Sequence, residues 1–444
     1  MRAKARNAIY AGRYTQLKKM KFSLIIIFFP FVLFSQSPNY EIIERHSVYY
    51  KDLIYENVTY GNYAPTDLIG LDDNSLIISS SISISFPDRY AIHSETTKEY
   101  FKKLEEIDSK SHISSGSIIK LNKEFKKEWE LIFKDKRVEK IKLTSNGEII
   151  AVGERLDMKK FWVGIITNDG KIVWEKEFKN KKNSIIADIE IDSLNNLFIL
   201  LESSRILPVQ PNKNPYQKRR LVFFKESDEF GIYLTKISPR GNRKWTKNIL
   251  QKRSYNGFGR DIKLNQNQIL ISYSYESHKR VNDSLISDEA TVVTVLDQYG
   301  KIIKSIKTDN YKLLFLKKVP ICASAESNNS NELVIEKDFK AFKTLVVPDE
   351  IKYYWLEEGV ETDKGYYLFG SNSRNLGYFI LGLNRNYELV NYWQSENSNG
   401  EHPIGIIIQS DGSIIVVGQK TDKNIALPYG NARYIDIIKL KTGV

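Results

Sequence analysis

A degenerate internal repeat constrains this chain more than any other feature. The clearest unit runs from Val138 to Phe178 and reads as four short strands: Val138–Thr144, Glu148–Gly153, Phe161–Thr167 and Lys171–Phe178. Ser145-Asn146-Gly147 joins the first two strands and Asn168-Asp169-Gly170 joins the last two. Asn-Gly and Asp-Gly pairs tolerate the positive φ angles of tight hairpins, and turns of this kind between β-branched runs predict an antiparallel meander.

The same plan recurs along the chain. Second-strand cores are read at Leu76-Ile77-Ile78, Ile149-Ile150-Ala151, Leu197-Phe198-Ile199, Ile269-Leu270-Ile271, Leu333-Val334-Ile335, Tyr366-Tyr367-Leu368 and Ile414-Ile415-Val416. Third strands are read at Ser117–Leu121, Phe161–Thr167, Ile232–Ser238, Thr291–Leu296, Tyr378–Leu383 and Tyr434–Leu440. Trp129, Trp174, Trp245 and, more loosely, Trp393 mark fourth strands, and Trp129 to Trp174 is 45 residues. Four antiparallel strands in a unit of that length are what a β-propeller blade needs. The expected fold is therefore all-β, a single propeller of seven four-stranded blades, or six if the crowded fifth unit fails. The last unit stops after its third strand, and Tyr40–Tyr49 is an extended segment ahead of the first complete unit. Pairing the two would supply the missing strand and remove an exposed sheet edge.

Two segments carry a family resemblance. Asn168-Asp169-Gly170-Lys171-Ile172-Val173-Trp174 resembles the Gly-Lys-x-x-Trp signature of quinoprotein-like (PQQ-type) propeller repeats, and Pro239–Trp245 is a second, weaker copy. The chain also resembles the exported repeat propellers of Gram-negative bacteria. The resemblance implies a propeller whose tryptophan docks on the neighbouring blade. Cys322 stands alone where the dehydrogenases of that family carry a vicinal cysteine pair, a departure that argues against the quinone cofactor. No cofactor is expected.

The N-terminus reads as an export signal. Lys18, Lys19 and Lys21 precede an apolar run from Leu24 to Phe34, and Ser35 offers a small residue at its exit. A basic start, a short apolar core and a small-residue exit describe a secretory leader. The run is shorter than the roughly 20 residues a spanning helix needs. Residues 1–35 are thus read as extension and signal peptide, with Met20 as the natural start, and 36–444 as the propeller. The expected location is periplasmic, outer-surface or secreted, with a membrane tether through residues 22–35 as the alternative.

The leader also accounts for much of the positive charge. Residues 1–35 hold seven basic and no acidic residues, so the formal +12 falls by seven to +5 once they are removed. That leaves scattered lysine rather than a nucleic-acid footprint, and no nucleic-acid partner is expected.

No local motif announces chemistry. His46, His93, His112, His278 and His402 make no metal-ligand spacing, and no metal site is expected. No nucleophile elbow, phosphate loop or dinucleotide fingerprint is present, and no catalytic residue is assigned. Long insertions are read at 80–115, 203–230, 275–290 and 419–433, each between second and third strands and therefore on one face. Loops held on a rigid scaffold are the usual carriers of recognition. Ser94–Lys110 reads as a short helix, with Tyr100 and Leu104 on one side, and Pro208–Arg220 as an extended basic loop ending in Arg219 and Arg220. With Lys279, Arg280 and Tyr429 these form the candidate partner-binding set. The expected function is a monomeric, non-catalytic binding or scaffolding propeller that takes a protein or glycan on this face. The alternative is an extracytoplasmic hydrolase, lyase or quinoprotein with its site at the central channel.

Overall fold

The computed structural model describes residues 40–48, 61–85, 112–155, 160–179, 184–204, 229–253, 255–265, 267–281, 284–308, 314–315, 321–325, 332–337, 340–351, 354–372, 377–395, 402–427 and 430–442. The leader, the helix read at 94–110 and the loop at 208–220 fall outside these residues.

The described strands form seven four-stranded antiparallel sheets. The first holds β2 (Gly61–Gly70), β3 (Leu76–Ser85), β4 (His112–Leu121) and β5 (Lys127–Lys134). The second holds β6 (Lys140–Leu143), β7 (Ile149–Glu154), β8 (Lys160–Ile166) and β9 (Ile172–Lys179). The third holds β10 (Ser184–Ile191), β11 (Leu197–Ser204), β12 (Glu229–Ile237) and β13 (Arg243–Arg253). The fourth holds β14 (Tyr255–Asn265), β15 (Gln268–Val281), β16 (Ser284–Asp297) and β17 (Ile302–Thr308). The fifth holds β18 (Leu314–Phe315), β19 (Ile321–Ala325), β20 (Glu332–Lys337) and β21 (Lys340–Val346). The sixth holds β22 (Tyr354–Glu361), β23 (Gly365–Asn372), β24 (Tyr378–Asn384) and β25 (Leu389–Gln394). The last holds β26 (His402–Ile408), β27 (Ile414–Leu427) and β28 (Gly430–Thr442), with β1 (Tyr40–Val48) paired antiparallel on β28 from Tyr40–Thr442 to Val48–Ile435. Apart from a 3-10 turn at Asp349–Ile351, the described residues hold no helix, so none crosses a membrane as one. The chain is an all-β propeller of four-stranded antiparallel blades.

First strands sit beside first strands. β2 contacts β6, β6 contacts β10, and the series continues through β14, β18 and β22 to β26, which contacts β2 again. The core lies in the seams between successive sheets rather than within any one of them. Phe133 of β5, for instance, stacks on Trp162 of β8 at 4.8 Å, within a cluster that also takes Ile77, Ile118 and Ile149. A sheet that buries its faces only against its neighbours cannot fold alone, which is why the pattern must repeat.

The tryptophans dock across these seams. The Trp129 indole N–H donates to the Asn168 carbonyl at 3.0 Å, in the hairpin turn of the next sheet. Its ring lies over Gly170, whose φ is +82° and where an added Cβ would come within 2.9 Å of the ring. Trp174 meets Gly241, and Trp245 meets Gly300, in the same way. At the sixth sheet Tyr387 replaces the turn glycine, with φ 57°, and Phe342 of β21 packs edge-on to it at 5.9 Å. His46 of β1 lies 4.8 Å from Phe125, the positive-φ residue in the β4–β5 turn of the first sheet.

Three readings from the sequence are corrected. Leu333-Val334-Ile335 lies on β20, the third strand of its sheet, and the second strand is β19, Ile321–Ala325. The fifth sheet fits in little sequence because its strands are short, β18 being two residues long. The described residues of the insertions read at 275–290 and 419–433, namely 275–281, 284–290, 419–427 and 430–433, are not loop but extensions of paired strands. β15 and β16 pair as far as Val281–Ser284, and β27 and β28 as far as Leu427–Gly430. Their polar, charged composition hides the aliphatic alternation of a strand, whereas ladder pairing needs only the backbone. The chain segments 80–85 and 112–115 are likewise strand, belonging to β3 and β4.

Candidate functional site

The first strands of six sheets, β2, β6, β10, β14, β22 and β26, line a cavity of about 990 Å³. Its wall is built at one repeated register. Asp67, Lys140, Asp188, Asp261, Glu358 and Gly405 each stand opposite the fourth or fifth residue of a second strand: Ser79, Val152, Leu200, Ser272, Phe369 and Val417. In five of these strands a β-bulge immediately precedes the residue, between Pro65 and Asp67, Ile186 and Asp188, Gly259 and Asp261, Leu356 and Glu358, and Pro403 and Gly405. A bulge leaves one residue unpaired and re-aims the next side chain.

The carboxylates so placed reach the following sheet. Asp67 Oδ2 accepts the Ile141 N–H at 2.8 Å, Asp188 Oδ2 the Ile262 N–H at 3.0 Å, and Glu358 Oε2 the Ile406 N–H at 3.0 Å. Each accepts from the residue just after the corresponding position of the next first strand. A backbone N–H facing the lumen needs an acceptor, and a charged acceptor makes the stronger bond.

Lys140 occupies the same register and makes no hydrogen bond or close ion pair among the described residues. Burial disfavours its ammonium, but the carboxylates of Asp67, Asp188, Glu358 and Asp261 outweigh that and hold its pKa above the ordinary lysine value. Lys263 is raised as well, first by Asp261 at 3.9 Å, against burial, and then by Asp188, Glu190 and Glu358. Burial pushes Asp188 up, yet Lys140, Lys263 and Lys142 together leave it below the usual carboxylate range. Glu190 bridges Lys142 at 3.4 Å and Lys263 at 3.7 Å. The lumen is thus a mixed-charge lattice with the positive groups held protonated.

A second polar layer lies on the second strands. Glu154 Oε1 accepts the Ile186 N–H at 2.8 Å, and Glu202 Oε2 accepts the Gly259 N–H at 2.7 Å. Burial is the main cause that pushes each carboxyl up, to about 7.

Of the residues singled out from the sequence, Lys279 and Arg280 stand on β15 opposite Ile286 and Leu285 of β16. Tyr100, Leu104, Arg219, Arg220 and Tyr429 lie outside the described residues. His46 bonds Glu44 Oε1 at 2.5 Å on the outer strand β1, while His402 opens β26. No group of three His, Cys, Asp or Glu among the described residues is arranged to hold a metal. Sequence reasoning missed the lumen carboxylates. Their signal is an acid followed by an aliphatic shortly before the first turn, as in Asp67-Leu68, Asp188-Ile189 and Asp261-Ile262.

The sequence matches no protein-family model and no curated protein. Among solved structures it is similar to the β-propeller domain of the Trilobed protease from Pyrococcus furiosus, at 10% identity over 87% of this chain and 97% of that one, with a TM-score of 0.42. It is similar to the Dos1 propeller at 10% identity and a TM-score of 0.45, covering 90% of this chain and 89% of that one. Hydrazine synthase of Kuenenia stuttgartiensis matches at 11% identity and a TM-score of 0.46, over 83% and 95%. At these scores the likenesses carry no argument, and the fold rests on the sheets themselves.

Proposed function

We propose that this chain is an exported, non-catalytic binding or scaffolding propeller, its seven sheets forming one ring that β1 closes. Its ligand, a protein or a glycan, meets the face bearing the second-to-third connections. The observation that carries the reading is the use made of the lumen carboxylates: Asp67, Asp188 and Glu358 each bond the backbone of the next sheet. Groups that chemistry would need free are holding sheets together. Lys140, kept protonated by its neighbours, is poorly suited to act as nucleophile or base, since both need the neutral amine. Recognition then falls to the elaborated face, where β15–β16 and β27–β28 run 13 or 14 residues against six in β7.

The roomy lumen favours one other reading, a channel enzyme whose substrate would displace the carboxylates from their backbone partners. Shortening β15–β16 by removing residues 277–288 separates the two. Binding to an array of glycans and envelope proteins should be lost while the melting temperature holds. Retained binding, or an activity that survives the deletion and vanishes in Lys140→Met, would establish the channel instead. Export is read from residues 18–35, and a mature protein beginning near Gln36 in the periplasmic or secreted fraction is its expected product.

A further inference from the structure

Glu154 and Glu202 occupy one structural position in successive sheets. Each is the sixth residue of its second strand, β7 or β11, and each accepts an N–H from the first strand of the next sheet. The two amides are equivalent as well: Ile186 and Gly259 both immediately precede the bulged residue, Ala187 or Arg260. Those bulges aim Asp188 and Asp261 into the lumen. Glu154 is 2% exposed, and neither glutamate makes an ion pair among the described residues. The charged groups facing Glu154 are Glu139 and Arg137, from the chain leading into β6, and Glu202 on β11; Arg260 of β14 faces Glu202.

We propose that Glu154 and Glu202 are proton-operated clasps on the seams joining the second, third and fourth sheets. Protonated, they accept the bulge amide as neutral groups and the seam stays shut. Ionised, each bonds its amide more strongly but holds a charge with no contacting cation away from water, fully buried at Glu154 and partly buried at Glu202. That burial cost outweighs the stronger bond, and opening the seam to water relieves it. Because the clasped amide sits at the bulge, opening frees the strand segment that carries Asp188 or Asp261, so the lumen responds to pH through its wall. The device lies beyond the binding function proposed above and stands whether or not that reading does.

The sign follows from linkage. A glutamate whose folded pKa is raised contributes most below the unfolded value and loses its contribution as pH rises through the folded value. Hydrogen exchange of the Ile186 and Gly259 amides in the wild-type protein tests this directly. After division by the chemical exchange rate, the opening constant should rise about twentyfold between about pH 5.5 and about pH 7.5. An unchanged opening constant over that range overturns the proposal. In Glu154→Gln/Glu202→Gln the melting temperature should fall less steeply over the same range than in wild type, and an equal slope also overturns it. Should that variant not fold, exchange in the wild type decides alone.

Discussion

At the scale of single residues, the contact that recurs is an aromatic ring laid on a turn in the next sheet. It explains why glycine stands at positions 170, 241 and 300: the residue that makes each turn also leaves room for the ring of Trp129, Trp174 or Trp245 from the sheet before. The turn has φ of +71° at Gly241, which an L side chain adopts at a cost, and an added Cβ would stand 2.9 Å from Lys176 and 3.0 Å from Trp174. Gly241→Ala should therefore cost about 2 kcal/mol, read as a lower urea midpoint at unchanged m-value. The tryptophan role was legible in the sequence from the Gly-Lys-x-x-Trp segment. Its stand-ins were not, because Phe342 and His46 fill equivalent seams with different rings.

At the scale of elements, β1 is the strand with the largest stake in closing the last sheet. Arg45 forks onto Asp436 of β28, Nε to Oδ1 at 2.9 Å and Nη2 to Oδ2 at 2.7 Å, and the Asp436 side chain is wholly buried. Tyr40 at the strand's start is buried, and its hydroxyl donates to Asn391 of the sixth sheet at 2.7 Å. Removing Arg45, itself partly exposed, strands the wholly buried Asp436 charge, so Arg45→Met should destabilise by about 2 kcal/mol, less than the loss from a fully buried pair. Adding Asp436→Asn should recover much of that loss, and a thermal double-mutant cycle measures the coupling. The extended segment read at 40–49 is strand over its described residues, Tyr40–Val48. What could not be read was how strands end. Turn chemistry marks the short hairpins, as Gly147 with φ +78° shows, but nothing marks where β15 and β27 stop pairing in polar sequence. The fifth sheet failed for a related reason. Its longest aliphatic run sits on the third strand, so a rule tuned to second strands took the wrong one.

At the scale of the whole molecule, the lumen brings together acids that are remote in sequence, and their mutual repulsion has to be offset for the sheets to meet. Lys140 is placed to do so, its pKa raised by carboxylates of the first, third, fourth and sixth sheets. A lysine raised above its unfolded pKa contributes stability at every pH below the unfolded value and loses it as pH climbs through the folded one. Its contribution also depends on the carboxylates being ionised, so it shrinks in acid. Lys140→Met keeps the length of the side chain and removes the charge. The variant should melt several degrees below wild type near neutral pH, with the gap closing as pH falls through the carboxylate range. Lys140→Arg, which keeps the charge, should show little gap at either end. Calorimetry of the three proteins across that range tests the point: a gap independent of pH would make Lys140 a packing residue, and the acids of the lumen would then be reconciled by their backbone bonds alone.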